Sequence, residues 1–311
     1  MPLTLQNALK TGSLREIRKV PKSDLHNHSM LGGRRSRLEK ILGIPVGRFR
    51  YSGGGIRDIN DWIARQYRPV MDHPEALEKT LEAAFFQAGS DGITVLEMSM
   101  DVFFGILFGI SPDTIISTLD SIHREKAPGI DFRPELGLSR SLAVRTLLRA
   151  LEPYLASGYF RSADLYDDEF AQPVENFREI YRFLKQAGLK CKAHAGEFGD
   201  AESVRKTAEL LGLDAVQHGI AAAGSPDVMK WLAASRIPLN VCPASNIRLR
   251  RARSYKTHPI RILYDHGVKV TVNTDDVVLF GAGVSEQFLK LYTSGLFSAR
   301  ELEMIRKNGL E

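Results

Sequence analysis

The run Leu189-Lys190-Cys191-Lys192-Ala193-His194-Ala195-Gly196-Glu197 predicts a short strand that carries a histidine and a carboxylate at its carboxyl end. A helical segment beginning near Ala201 follows, which is the order of a β/α unit. The imidazole can bind a metal ion, and the Glu three residues further on can transfer protons beside it. This stretch therefore predicts a parallel-sheet fold and also where its chemistry lies.

Strand patterns alternate with helical patterns along the whole chain, and eight parallel strands are the number that closes a barrel. The predicted strands are residues 22–28, 93–98, 132–138, 159–166, 189–193 with His194 at the end, 214–218, 237–242 and 268–273. We expect an α/β protein, a single (β/α)8 TIM barrel whose one domain spans residues 1–311. An N-terminal arm, residues 1–22, precedes the barrel, and a long insertion, residues 29–60, follows the first strand.

Composition limits the class of protein. With 43% hydrophobic and 25% charged residues among 311, the chain has the make-up of an ordinary globular protein. Its apolar runs are too short to cross a bilayer, and the amino terminus lacks the apolar core of a signal peptide. Cys191 and Cys242 lie in strand-like runs and are expected to be reduced and structural. We expect a cytoplasmic protein with no membrane partner.

Three predicted strand ends carry four metal-binding side chains. His26 and His28 are two residues apart on the first strand, so they point to the same side, and alone they fit a metal site or a polar strand end about equally. His194 ends strand five and Asp275 follows strand eight, which neighbours strand one in a closed barrel. Three imidazoles and one carboxylate suit one zinc ion per chain, which lowers the pKa of bound water to about 7.

Three more polar residues adjoin this set. Glu197 can carry a proton to a leaving nitrogen, and His218 and Asp276 can orient the attacking hydroxide. Taken alone, His218 fits a hydrogen-bonded core histidine better, and Asp276 could simply cap a helix. A zinc deaminase of the cytidine type is excluded, because it needs Pro-Cys-x-x-Cys and the chain has only Cys242-Pro243.

Six separated motifs occur in a characteristic order over nearly the whole chain. They are Pro21-Lys22-Ser23-Asp24-Leu25-His26-Asn27-His28, His194-Ala195-Gly196-Glu197, His218-Gly219, Cys242-Pro243-Ala244-Ser245-Asn246, His258-Pro259 and Asn273-Thr274-Asp275-Asp276. This order resembles the adenosine deaminase family of the amidohydrolase superfamily. The resemblance implies hydrolytic deamination of a 6-aminopurine with release of ammonia. It implies the zinc ligands His26, His28, His194 and Asp275. It also implies that Glu197 protonates the purine ring, that His218 stabilises the hydroxide, and that Asp276 hydrogen-bonds the hydroxide or the purine.

The chain departs from this family at residues that recognise substrate. Met30 replaces the acid that commonly contacts ribose, Asp167 replaces a Gly whose N–H contacts the purine, and Val277 replaces a Pro. The N–H of Asp167 remains, but its side chain changes the pocket. Because the catalytic set is complete, the resemblance implies deamination more directly than it implies adenosine as the substrate.

Two other classes of function remain open from the sequence. Another mononuclear amidohydrolase could cleave a ring amide or ester with the same zinc-activated water. The absence of a bridging lysine from residues 159–166 favours one metal over two. The other class is a non-catalytic binding protein on a deaminase scaffold. Such a protein would be free to lose Glu197 and His218, and both residues are present.

Two arginine-rich segments suggest what the substrate carries. One follows strand one and includes Arg34 and Arg35; the other follows strand seven and includes Arg251. Loops after strands lie on the active-site face, and arginine suits phosphate or carboxylate, so we hypothesise a small-molecule substrate with an anionic tail, such as a nucleotide or carboxylated analogue. The alternative is a solvated basic surface. Nucleic acid is not expected as a partner, because aromatic residues do not interleave with these arginines.

Overall fold

The computed structural model of the protein describes residues 4–73 and 75–311. Within these residues, eight parallel strands form one sheet in chain order, from β1 to β8. The strands are β1 (Lys22–Asp24), β2 (Ile93–Asp101), β3 (Asp131–Ser139), β4 (Ser162–Tyr166), β5 (Lys190–Ala195), β6 (Ala215–His218), β7 (Leu239–Val241) and β8 (Val270–Val272). The predicted barrel fold is confirmed, and it positions the strand ends around a common axis.

The barrel is closed by the segments that follow β1 and β8. The backbone N–H of Asp275 donates to the carbonyl of His26 over 2.9 Å, and Asn27 and Asp275 form a parallel bridge. The N–H of Leu25 also donates to the side chain of Asn273, at 2.8 Å. These bonds join residues on either side of the predicted metal ligands, so closing the barrel also brings those ligands together.

Helices surround the sheet and cover its outer face. They are α1 (Leu5–Lys10), α2 (Leu14–Arg18), α3 (Arg35–Leu42), α4 (Ile56–Trp62), α5 (Arg68–Met71), α6 (Ala76–Ser90), α7 (Phe104–Phe108), α8 (Pro112–Lys126), α9 (Val144–Ala156), α10 (Arg178–Gln186), α11 (Ala201–Leu211), α12 (Pro226–Ser235), α13 (Pro243–Arg248), α14 (Ile260–Asp265), α15 (Val277–Phe280), α16 (Val284–Thr293) and α17 (Ala299–Asn308). Among the described helices, none combines the length and the apolar character that crossing a bilayer requires.

Two hydrophobic clusters hold these elements in place. The larger cluster lies between the sheet and the surrounding helices and includes the arm residues Leu5 and Leu9. The smaller one packs the insertion after β1 against α15, with Trp62 and Phe280 among its members. The insertion is therefore folded onto the carboxyl-terminal face of the barrel, where it contains α3, α4 and a π-helical turn at Ile63–Tyr67.

Two local predictions were wrong. The first strand was expected to reach residue 28, but regular pairing ends at Asp24, and Asn27 and His28 form only isolated bridges. Strand alternation therefore does not explain how His26 and His28 converge. The pattern of residues 141–157 predicts a helix interrupted at Pro153, but α9 runs through that proline, because a proline in the last turn removes only one helical hydrogen bond.

Candidate active site

The seven residues predicted to perform the chemistry lie together at the carboxyl-terminal end of the barrel. All except His28 are at most 8% exposed, and the ring of His28 lies at the edge of the cleft. Candidate ligand atoms of His26, His28 and His194 lie within 4.8 Å of one another. Asp275 adjoins this group, with its Oδ1 3.5 Å from Nε2 of His28 and 3.8 Å from Nε2 of His26.

His26 lies at the centre of the histidine cluster. Its ring centroid is 4.7 Å from that of His194 and 4.6 Å from that of His218. Both of its ring nitrogens are buried without a hydrogen-bond partner in the described residues, which is costly for a polar side chain unless a ligand binds it. Burial, with the neighbouring imidazoles, holds the pKa of His26 well below its usual value, and lowers the pKa of His28 to about 4. Neutral imidazoles are the form that binds a metal ion, so His26 and His28 fit such an ion.

His194 is oriented by Asp164, a residue that the sequence analysis did not identify. Nδ1 of His194 lies 3.2 Å from Oδ2 of Asp164, which is fully buried on β4. Burial alone would lower the pKa of His194, but the Asp164 carboxylate outweighs it and raises that pKa to about 10. Because Nδ1 faces Asp164, Nε2 is left to face a ligand. Asp164 could have been identified from the sequence, because it is an acidic residue between two apolar residues of a strand, Ala163 and Leu165.

Glu197 and His218 face each other across the cleft. Oε2 of Glu197 lies 3.5 Å from Nε2 of His218, whose Nδ1 accepts from the side-chain amide of Asn246 at 3.2 Å. With Nδ1 accepting, the proton of a neutral His218 is on Nε2, which points into the cleft. Burial, followed by the charge of Asp275, holds the pKa of Glu197 well above its usual value. Glu197 can therefore hold a proton at neutral pH.

The two carboxyl groups after β8 differ in their surroundings. Burial raises the pKa of Asp275 to about 6, while burial and the adjacent Asp275 charge hold the pKa of Asp276 well above its usual value. Oδ1 of Asp276 is buried without a partner in the described part of the chain. Asp275 also has a left-handed backbone, with φ of 62°. Strain of this kind is typical of functional positions, because packing must maintain it.

Glu169 holds the loop that carries Glu197. Its carboxylate accepts the backbone N–H groups of Gly196, Glu197 and Phe198, at 2.7, 2.9 and 2.8 Å. No feature of the sequence indicates this role of Glu169, because a glutamate in a loop is recognisable as a support only once the fold places it against another loop. Its three hydrogen bonds fix the position of the backbone from which the Glu197 side chain extends.

A narrow cleft exposes the cluster to solvent. The insertion after β1 covers it with apolar side chains, namely those of Leu31, Ile56, Ile59 and Ile63. The opposite wall consists of polar residues, namely His28, Tyr166, Asp167, His194, Glu197, His218, Asp275 and Asp276, and Asn60 of α4 also lines the cleft. A flat ring with polar atoms on its edge suits such a space.

A second cavity of about 300 Å³ adjoins the cleft and shares four lining residues with it, namely His28, Leu31, Ile63 and Tyr166. Most of its other walls are apolar. They include Met30, Phe103, Phe104 and Leu107. Its one carboxylate, Asp101, already accepts the Tyr166 hydroxyl and the N–H of Phe103. We call this space the apolar chamber.

The predicted substrate-binding arginines occupy other surroundings. Arg34 donates to Glu286 at 2.6 Å and Arg35 donates to Glu39 at the same distance. Both line a separate cavity of about 410 Å³, which we call the arginine cavity, with Arg48, Arg50 and Arg248. Arg251 lies nearer the cleft, where its Nε donates to the backbone carbonyl of Glu197 at 2.8 Å.

Comparison with known proteins gives a consistent set of matches. The family model described as adenosine deaminase matches residues 57–311. A Treponema pallidum protein, provisionally named an adenosine/adenine deaminase, is 32% identical over 94% of this chain and 98% of its own. An Aspergillus fumigatus adenine deaminase is 32% identical over 81% of this chain and 73% of its own. The crystal structure of an Arthrobacter aurescens adenine deaminase superposes with a TM-score of 0.83 at 24% identity, covering 93% of this chain and 92% of its own.

Proposed function

The chain belongs to the adenosine deaminase family, and we propose that it deaminates a 6-aminopurine beside one zinc ion. Membership of this family makes it a hydrolytic deaminase, an amidohydrolase that acts on a small molecule. The finer proposal rests chiefly on the buried histidine cluster, in which both nitrogens of His26 lack a partner beside the protonatable Glu197. The name of the Aspergillus relative, an adenine deaminase, supports an aminopurine as the substrate class.

The donor set supports zinc as the ion. Three imidazoles, His26, His28 and His194, with the Asp275 carboxylate would hold it, and such nitrogen and oxygen donors suit Zn²⁺. When bound, zinc supplies a hydroxide nucleophile at neutral pH. Asp164 would keep the His194 ring in the orientation that presents Nε2 to the ion.

The protein's own groups account for the proton transfers. The oxygen of water adds to the ring carbon that bears the amino group, Glu197 gives its proton to the adjacent ring nitrogen, and one proton of the water restores the Glu197 carboxylic acid. His218 directs its Nε2 proton toward the added oxygen and stabilises the charge that develops there. The remaining water proton moves to the amino group, with Asp276 positioned to carry it, and the carbon–nitrogen bond breaks to release ammonia. The roof formed by Leu31, Ile56 and their apolar neighbours narrows the opening through which bulk water reaches the site.

The test is ammonia release from adenine and adenosine by the purified enzyme. We expect Glu197→Gln to retain its metal and lose turnover by roughly two or more orders of magnitude, the usual scale for general acid–base catalysis. Glu202→Gln, an exposed glutamate on the following helix, is the matched control. Near-normal turnover in Glu197→Gln would remove Glu197 from the mechanism.

An anionic tail on the substrate remains a second candidate, and the arginine cavity is the observation in its favour. Arg34, Arg35 and Arg251 would then recognise a phosphate or carboxylate. Against this, Arg34 and Arg35 already bind carboxylates, and the arginine cavity shares no lining residue with the cleft. If the tail is recognised there, adenosine 5′-phosphate will be turned over faster than adenosine, and added salt will reduce the difference.

A further inference from the structure

Asp167 has a backbone conformation that its side chain does not favour. Its φ is 81°, in the left-handed region where glycine is unstrained and other residues seldom occur. Packing must therefore maintain the aspartate against this strain. Such outliers persist where the side chain has a task, because a glycine would otherwise be the better residue for folding.

The Asp167 carboxylate forms part of the wall of the catalytic cleft. Its Oδ1 accepts the side-chain N–H of Asn60 at 3.2 Å and the N–H of Asp168 at 2.9 Å. Its Oδ2 accepts the hydroxyl of Ser139 at 2.6 Å and no other donor from residues 4–73 and 75–311. A carboxylate oxygen can accept two hydrogen bonds, so Oδ2 can take one more donor from a molecule in the cleft.

The space around the cleft disfavours a sugar. A sizeable cavity that adjoins the cleft is the apolar chamber, where Met30, Phe103, Phe104 and Leu107 would face the hydroxyls of a ribose. Hydroxyl groups that lose water without gaining partners weaken binding. A phosphate would fare worse, because the carboxylates that border this space, Asp101 and Asp167, carry the same charge as the ligand.

An aminopurine whose imidazole ring carries no substituent offers an N–H group. This group could donate the further hydrogen bond that Oδ2 of Asp167 can accept. Its ring N–H is present in the free base and absent in a nucleoside or nucleotide, where the sugar replaces it. We propose that Asp167 is a specificity-determining residue whose carboxylate accepts this N–H, so that the enzyme prefers the free base to its nucleoside and nucleotide. This inference rests on the proposed function and names the substrate class within it.

The experiment compares kcat/KM for adenine, 9-methyladenine, adenosine and adenosine 5′-phosphate. The methylated base retains the ring and amino group but lacks the N–H. The native enzyme is expected to prefer adenine over 9-methyladenine by roughly 10-fold or more, the usual range for a hydrogen bond to a charged group. In Asp167→Gly this preference should disappear. The ring N–H of adenine no longer has the carboxylate as its acceptor, and the methyl group of 9-methyladenine has more space.

Stability separates this role from a structural one. Asp167→Gly relieves the strain at φ of 81° but also removes the acceptor of three hydrogen bonds, so its thermal unfolding is measured beside kcat/KM, and the preference for adenine should be lost while the variant is still folded at the assay temperature. Asp167→Asn keeps an acceptor without the charge and should retain part of the preference for adenine. The control is Asp168→Asn, a neighbouring acid that does not line the cleft.

Two outcomes would overturn the inference while leaving the proposed function intact. One is faster turnover of adenosine or its 5′-phosphate than of adenine by the native enzyme. The other is an adenine to 9-methyladenine ratio that Asp167→Gly leaves unchanged. Absence of ammonia release from every aminopurine would overturn the proposed function itself, and the inference with it.

Discussion

Asp164 and His194 show how a buried carboxylate on one strand can control a histidine on the next. Asp164 is fully buried, and 3.2 Å separate its Oδ2 from Nδ1 of His194, which lines the cleft. Removing such a partner leaves the proposed metal ligand in place, but it frees the imidazole to rotate and to change tautomer. The effect should appear in metal affinity before it appears in the fold.

We predict about one zinc per chain and a weaker site when Asp164 is changed. Asp164→Asn should lower zinc affinity roughly 10- to 100-fold, because it removes the carboxylate that orients His194. Competition with a chromophoric chelator measures this, and His194→Ala should lose more affinity than Asp164→Asn. Two tightly bound ions per chain, or native affinity in Asp164→Asn, would contradict the assignment.

At the scale of elements, the N-terminal arm is tied to the last helix. The N–H of Leu5 donates to the Glu303 carboxylate at 2.8 Å, and Arg306 of α17 donates to the carbonyl of Pro21 just before β1. Leu9 of α1 is fully buried in the main core. The arm thus braces β1, whose regular pairing ends at Asp24 shortly before His26, against α17.

We predict that Leu9→Ala destabilises the protein by about 2–5 kcal/mol, the range for truncating a buried leucine. The cause is lost apolar burial together with the cavity between α1 and the core. Urea unfolding of the full-length enzyme measures the change, and Lys10→Ala, an exposed neighbour on the same helix, is the control. Equal midpoints for both variants would mean that the arm does not stabilise the barrel.

Across the whole molecule, buried polar groups make folding stability depend on pH. Lys192 is enclosed in the barrel below His194, where it bonds Glu97 at 2.5 Å and also Glu135.

His258 is buried away from the cleft, and its Nδ1 accepts the N–H of Ile260 at 3.1 Å. Burial lowers the pKa of His258 from 6.5 to about 3. The unfolded chain therefore binds this proton at a higher pH than the folded protein does.

We predict a loss of stability on acidification that depends on His258. The stability associated with its lowered pKa is fully present above 6.5 and is lost as the pH falls from there toward 3. Between about pH 7 and pH 5 the loss from this residue should be about 2 kcal/mol, from 1.36 kcal/mol per pKa unit. His258→Asn, which still offers an acceptor to Ile260, should reduce the pH dependence of the unfolding free energy by that amount. An unchanged dependence would assign the acid sensitivity to other groups.

The sequence by itself determined the barrel and the set of polar residues at its active end. Alternation of strand and helix patterns predicts the eight strands, since each pattern depends on nearby residues and on the period of one element. The motifs around His26, His194, His218 and Asp275 were equally visible, because each lies within a few residues of a strand end. The structure confirms the fold and brings these residues together.

Only the tertiary structure decided the residues that act from a distance in the chain. Asp164 and Glu169 bind groups about 30 residues away, on neighbouring strands and loops that only barrel closure brings close. The same holds for the surroundings of Arg34, which is paired with Glu286, 252 residues away. The left-handed backbone of Asp167, too, is imposed by packing, since its own sequence favours another conformation. A short stretch of sequence determines its preference for helix, strand or turn. Contacts between distant segments depend instead on how all eight strands close into the barrel.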